Sequence, residues 1–137
     1  MGSKFIDTTS IMQVIGGVFN QPTLLDMTDK YTITEDDFPD EFHRIAFGAI
    51  YKIHELGAKK VTIENISDFL SSRPKSEAIF KTQKGEEWLL KVSENTISSA
   101  FDYYYAIWAA QEKNKRKQLN EFIDTQIKVI KIPIPKC

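Results

Sequence analysis

One segment in the first half of the chain constrains the fold more than any other. Apolar side chains recur there at steps of three and four residues, and the members of this stripe are Phe42, Ile45, Ala46, Ala49, Ile50, Ile53 and Leu56. That spacing places them on one face of an α-helix, and Phe47 and Tyr51 widen the face. A helix that is apolar over so much of its circumference is usually covered on more than one side. We therefore predict a central helix around which the other elements pack.

Both ends of this predicted helix carry residues that helix termini favour. Negative charge crowds the N-terminal side, and the acidic residues there are Glu35, Asp36, Asp37, Asp40 and Glu41. We interpret this group as helix-capping residues rather than a cation site, because it lacks the glycine-containing loop of an EF-hand. Thr34 and Asp37 have the spacing of a capping box, and Pro39 suits a first turn. Gly57 can take the left-handed conformation that ends a helix.

Shorter helices are predicted on either side of the central one. A first helix runs from about Thr9 to Phe19, and its Gly16-Gly17 pair indicates a close approach to another helix, because no side chain stands in the way. Pro22 opens a short helix, and Thr62 is a good N-cap for another. Residues 76–84 suggest one or two further helical turns.

The last predicted helix is long and polar in its middle. Residues 98–130 contain neither proline nor glycine, and a polar neck at Gln111–Gln118 separates two apolar stripes. The first stripe contains Phe101, Tyr104, Tyr105 and Trp108, and the second contains Leu119, Phe122, Ile123, Ile127 and Ile130. A straight helix of this length would extend beyond the globular part, so the second stripe needs a partner. We predict a dimer through the second stripe and a secondary interface at Tyr104 and Trp108.

Composition narrows the class of protein. A chain of 137 residues, 42% hydrophobic and 27% charged, can bury one ordinary core. The formal net charge of −1 gives no global attraction to nucleic acid, and no apolar run is long enough for a membrane span or a signal peptide. The single Cys137 cannot form an internal disulfide. We expect a soluble, cytoplasmic, single-domain protein that binds neither membranes nor, strongly, nucleic acid.

No residue pattern points to catalysis, a cofactor or a metal ion. His43 and His54 lie too far apart along one helix to share a metal ion, and His43 is interpreted as a partly buried hydrogen-bonding residue. The basic run Lys113–Lys117 could contact nucleic acid, but a solvated helix face is the favoured interpretation because Glu112 and Glu121 flank it. We therefore expect no catalytic, cofactor-binding or metal-binding residues.

The order of several modest motifs resembles the N-terminal domain of the DnaB-type replicative helicases. The matching residues in the first half are Ile15-Gly16-Gly17, Asn20-Gln21-Pro22, Leu24-Leu25, Asp37-Phe38, His43-Arg44-Ile45, Phe47, Ala49-Ile50 and Leu56-Gly57. Those in the second half are Val61-Thr62-Ile63, Gly85, Trp88-Leu89, Phe101 and Tyr104. The resemblance runs from about Ile11 to Ile127.

This resemblance implies an all-α fold: a compact multi-helix head over residues 5–97, a long projecting C-terminal helix over 98–130 and an irregular tail over 131–137. The helix would be the first arm of the family's helical hairpin, although Pro133 and Pro135 would break a second arm. The implied function is that of a non-catalytic helicase domain that mediates subunit assembly and docks primase or a loader protein. The alternative is a free-standing phage-type helical adaptor or DNA-binding protein. A reading frame that continues into a P-loop ATPase favours the first, and a natural stop near Cys137 favours the second.

We expect the isolated chain neither to hydrolyse ATP nor to unwind DNA. Its sequence contains no Gly-x-x-x-x-Gly-Lys-Ser/Thr loop to hold the phosphates of a nucleotide. A phosphate-release assay with and without single-stranded DNA checks this, and DNA-stimulated hydrolysis by the pure chain would contradict it.

Overall fold

The structure is all-α. A computed structural model describes the backbone of residues 2–111 and the side chains of residues 9–110. Its α-helices are α1 (Gly2–Asn20), α2 (Glu41–Glu55), α3 (Ile63–Leu70), α4 (Pro74–Thr82), α5 (Gly85–Asn95) and α6 (Phe101–Gln111). Short 3₁₀ turns occupy Pro22–Asp26, Glu35–Asp37 and Ser98–Ala100, and residues 2–111 contain no strand. The predicted fold class is confirmed, while residues 112–130 of the predicted projecting helix lie outside the described part.

The predicted central helix is α2, and it shares its role with α1. Phe42, Ala46 and Ile50 of α2 are buried, and α2 packs against α1, α3 and α4. Helix α1 packs against α2, α5 and α6, with Val14 and Ile15 buried completely. The core is therefore built on two helices rather than on one.

Leu56 does not belong to the buried stripe, so this part of the prediction is wrong. Helix α2 ends at Glu55, and Leu56 follows it as the C-cap with 78% of its surface exposed. Gly57 then takes a φ of +115°, a left-handed value that turns the chain away from the helix axis. The apolar spacing in the sequence thus extends one residue beyond the end of α2.

The Gly16-Gly17 pair marks a close helix contact, as predicted. A Cβ at Gly16 would lie 2.8 Å from Cγ1 of Val92 and would overlap the hydroxyl of Thr96. A Cβ at Gly17 would overlap the ring of Phe101. The two glycines therefore let α1 approach both α5 and α6 with its backbone.

Polar side chains cap the helices largely where the sequence indicated. Asp37 accepts a hydrogen bond of 3.0 Å from the Thr34 N–H, but this capping box precedes the Glu35–Asp37 turn and not α2 itself. The N-cap of α2 is Asp40, whose carboxylate accepts from the Phe42 N–H at 2.8 Å. At the start of α3, the Asn65 N–H donates to Oγ1 of Thr62 at 3.1 Å.

The first helix and the fourth differ in extent from the predictions. Helix α1 begins at Gly2, well before Thr9, and no proline interrupts the residues between them. Helix α4 begins at Pro74, before the predicted turns at residues 76–84, and the missing N–H of proline costs nothing in a first turn.

A loop clamp fastens α6 to the rest of the head. The hydroxyl of buried Tyr31 donates to Asp102 of α6, and Nζ of Lys30 lies 3.3 Å from the same carboxylate. The hydroxyl of Tyr105 accepts from the Thr32 N–H at 2.9 Å. Edge-to-face ring contacts at 5.0 Å join Tyr31 to Tyr105 and to Phe101. The described part of the last helix is therefore packed against the head.

Replacing Ile50 by alanine should lower the free energy of unfolding by about 2 to 5 kcal/mol, because Ile50 is completely buried and its loss leaves a cavity. Each kcal/mol should lower the melting temperature by several degrees. Leu56→Ala is the matched control, since it removes a similar volume from an exposed position and should melt near wild type. Calorimetry checks both, and equal melting of Ile50→Ala and wild type would contradict the central place of α2.

Candidate protein-interaction surface

The structure describes few of the residues that the sequence assigned to interfaces. The stripe Leu119, Phe122, Ile123, Ile127 and Ile130 lies outside the described residues, as does the basic run Lys113–Lys117. The dimer through that stripe stays a prediction.

Trp108 and Tyr104, the predicted secondary interface, lie in different environments. Trp108 is fully buried, stacked on Phe38 with their ring centroids 5.1 Å apart. Its Nε1 has no hydrogen-bond partner among the described residues. Tyr104 is half-buried and contacts the ring of Tyr103 at 5.1 Å. Trp108 therefore contributes to the core of the head, and Tyr104 alone reaches the surface.

A different side of α6 offers apolar surface. Tyr103 is 64% exposed, Ala106 and Ala110 are exposed, and Ile107 is half-buried. Their spacing of three and four residues puts them side by side on a helix. The sequence analysis missed this face because it assigned the aromatic residues of this helix to the stripe that contains Phe101. The signal was present, since Asp102 is the only charged residue in α6.

A cleft runs along α2 where it faces α3 and α4. It has a volume of about 270 Å³, and its apolar lining consists of Ile45, Gly48, Ala49, Phe69 and Leu70. Polar side chains form the remainder of the lining, namely Glu35, Glu41, Arg44, Lys52, Arg73 and Ser76. A second hollow of about 320 Å³ adjoins it, and Glu35 borders both. Sequence patterns gave no sign of the cleft, because its residues meet only after three helices pack.

The cations of the cleft differ in how they are held. Nη1 of Arg44 donates to the carbonyl oxygens of Phe38 and Pro39 at 3.0 and 2.7 Å. The guanidinium of Arg73 lies over the ring of Phe69, 4.1 Å from its centroid. Neither arginine forms an ion pair within the described part of the chain.

Two of the three other charged residues that line the cleft, Lys52 and Glu35, contact other groups of the head. Lys52 pairs with Glu55 at 3.1 Å. The carboxylate of Glu35 lies against Gly48, where it would meet a Cβ at 2.5 Å. Arg44 and Arg73 thus lie beside the apolar floor without an ion-pair partner among the described residues, although Glu35 and Glu41 line the same cleft.

The two histidines of α2 lie in opposite environments. His43 sits beside the rings of Phe42 and Trp88, and burial holds its pKa below the ordinary 6.5 against an opposing effect of Asp40. Its buried Nδ1 has no partner among the described residues, so the hydrogen bond predicted for this side chain is not found there. His54 bonds the Ala58 carbonyl at 2.9 Å and lies 3.0 Å from the Asp26 carboxylate, and these contacts raise its pKa.

The described residues form neither a metal-binding cluster nor a membrane-spanning helix. No group of three or more His, Cys, Asp or Glu side chains is arranged there to hold a metal ion. None of the helices there is long and apolar enough to cross a membrane. What this part of the chain presents is a small helical head with apolar and charged contact surfaces.

This head belongs to a family of helicase domains. The chain is a member of the DnaB-like helicase N terminal domain family, whose model matches residues 10–109. It is also similar to the SPbeta prophage-derived uncharacterized protein YorI of Bacillus subtilis strain 168, with 35% identity over 99 residues. The alignment covers 72% of this chain and 20% of that protein, so the chain spans about a fifth of the length of this relative. No solved structure matches the chain.

The two histidines should affect the pH dependence of stability with opposite signs. Because the folded pKa of His43 is lowered, the unfolded chain binds a proton there more readily, and stability should fall as pH drops below about 6.5. Because the folded pKa of His54 is raised, its stabilisation is complete below 6.5 and is lost as pH rises through the folded pKa.

Urea unfolding from about pH 5 to pH 8 tests this pair, since the range spans imidazole titration. His43→Phe should reduce the loss of stability on the acid side. His54→Gln should be destabilised more at the acid end than at the alkaline end. The same pH profile in both variants as in wild type would contradict the assignment.

Proposed function

We propose that this chain is the non-catalytic N-terminal domain of a replicative DNA helicase, where it helps subunits assemble and docks primase or a loader protein. The family match over residues 10–109 carries the proposal, because that range includes most of α1 and extends through nearly all of α6. The roles in assembly and docking are those that the resemblance to the family implies. The alternative is a free-standing phage-type helical adaptor or DNA-binding protein; the prophage origin of the relative supports a phage type, whereas the alignment covers only 20% of that relative and so does not favour a free-standing chain.

Self-association is proposed through the last helix. The exposed face of α6, with Tyr103, Ala106 and Ala110, supports this role because large and small apolar side chains on one helix face favour close helix packing. The stripe from Leu119 to Ile130 extends the same segment in sequence. A single patch that meets its own copy forms a closed two-fold dimer, which we take as the unit of assembly.

Docking is proposed at the surface of the head that α6 does not cover. The cleft along α2 combines an apolar floor with charged rim residues, a composition typical of protein contact sites. Arg73 and Phe69, one stacked on the other, are of the residue classes enriched in interfaces. The head therefore offers one surface for assembly and another for a partner.

Light scattering after size-exclusion chromatography tests the assembly role. The wild-type chain should elute as a dimer, and Phe122→Asp combined with Ile123→Asp should elute as a monomer, because two carboxylates would be desolvated in the interface. Ile107→Asp, on the exposed side of α6, should weaken the dimer as well.

Leu90→Asp is the matched control for this experiment. Leu90 is an exposed leucine on α5 at 51% accessibility, away from the proposed interface, so this variant should remain a dimer. A monomeric wild type, or a dimeric Phe122→Asp, Ile123→Asp variant, would refute assembly through the last helix.

A further inference from the structure

We propose that the cleft between α2, α3 and α4 binds a short acidic and apolar segment of a partner protein, with Arg44 and Arg73 holding one of its carboxylates. This rests on the proposed docking function and names the chemistry of the segment that docks.

The apolar floor is small. The cleft that contains it has a volume of about 270 Å³, close to the lower limit of the roughly 300 to 1,000 Å³ of small-molecule pockets. Leu70 and Ala49 are buried at the bottom, and Ile45 and Phe69 are half-buried along the sides. The space that a side chain at Gly48 would take is filled by the Glu35 carboxylate, which therefore forms part of the wall of the cleft. One or two apolar side chains of a partner would complete the burial of this floor.

The two arginines are prepared to receive a carboxylate. Arg44 uses Nη1 for the carbonyls of Phe38 and Pro39, which fixes the guanidinium, and no described residue accepts a hydrogen bond from its other N–H groups. Arg73 is stacked on the Phe69 ring, an arrangement that leaves the N–H donors at its edge free. Planar guanidinium groups bind carboxylates through paired hydrogen bonds, and orienting them beforehand reduces the entropy lost on binding.

The acidic residues on the rim decide between two anionic partners. Glu35 and Glu41 line the same cleft as Arg44 and Arg73, and Lys52 is already paired with Glu55. A nucleic acid would bring a row of phosphates past these glutamates, and such binding depends on many uncompensated cations. A peptide can place one carboxylate between the arginines and an apolar or basic residue near the glutamates. The charge pattern therefore favours a protein segment over DNA or RNA.

Amide chemical shifts of the labelled full chain test the proposal. The first probe is a short amphipathic peptide with leucines one helical turn apart, flanked by glutamates, and the second is its twin with lysine for each glutamate. A single-stranded oligo-dT is the third. We expect the glutamate peptide to shift the amides of Gly48, Ala49 and Phe69, and the other two probes to leave them unchanged. Added salt should weaken the binding, because the arginines lie at a solvent-exposed rim.

Substitutions at the rim sharpen the test. Arg73→Glu should weaken the glutamate peptide by about tenfold or more, and Arg73→Gln by less, because the first reverses a charge and the second only removes it. Lys75→Glu is the matched control, since Lys75 is exposed on the same helix as the cleft residue Ser76 but does not line the cleft, and should bind as wild type does. Thermal melting of each variant confirms that it is folded.

Three results would overturn the proposal: no shift of the cleft amides with the glutamate peptide, unchanged binding by Arg73→Glu, or stronger shifts of the same amides with oligo-dT. The last result would assign the cleft to nucleic acid. These outcomes are separate from the assembly test. If the chain dimerises through its last helix but does not bind the peptide, only the cleft proposal is contradicted. A monomeric chain that binds the peptide retains it.

Discussion

The rest of the fold depends on the close approach of α1 to α5 and α6. Gly16 and Gly17 remove the side chains that would hold these helices apart, so Val92 and Phe101 pack directly on the α1 backbone. With α6 held at that distance, the ring of Trp108 lies on Phe38 and joins the last helix to the core of the head. A Cβ at Gly17 would displace α6 and, with it, the buried ring of Trp108, and a Cβ at Gly16 would displace α5.

Local physics explains why the helices could be predicted from the sequence. A stripe of apolar residues at three- and four-residue spacing predicted α2, and Thr62, a residue type that favours the N-cap, predicted the start of α3. Gly57 marked the end of α2 because only its left-handed conformation reverses the chain there at little cost. Each of these features depends on residues that are close together in sequence. The membership of the family was also within reach, since its motifs are mostly helix-forming and capping residues.

Features that depend on which neighbour covers a helix could not be predicted in the same way. Periodicity placed Leu56 and Ile50 on one stripe, but only the packed structure shows that one is outside the helix and the other completely buried. Trp108 was predicted to lie in an interface and is buried in the core, because a large aromatic side chain is suited to either environment. Arg44 and Arg73 are distant in sequence and carry no shared motif, so their place on one cleft became visible only in the fold.

The surfaces proposed for assembly and docking are joined by one short segment. Tyr31 and Thr32 hold α6 through Asp102 and Tyr105, and a few residues later Glu35 borders the cleft and lies against α2. Between these ends, the buried side chains of Tyr31 and Ile33 anchor the segment in the close-packed core. The same loop therefore positions both the outer face of α6 and the rim of the cleft, the two surfaces proposed for assembly and docking.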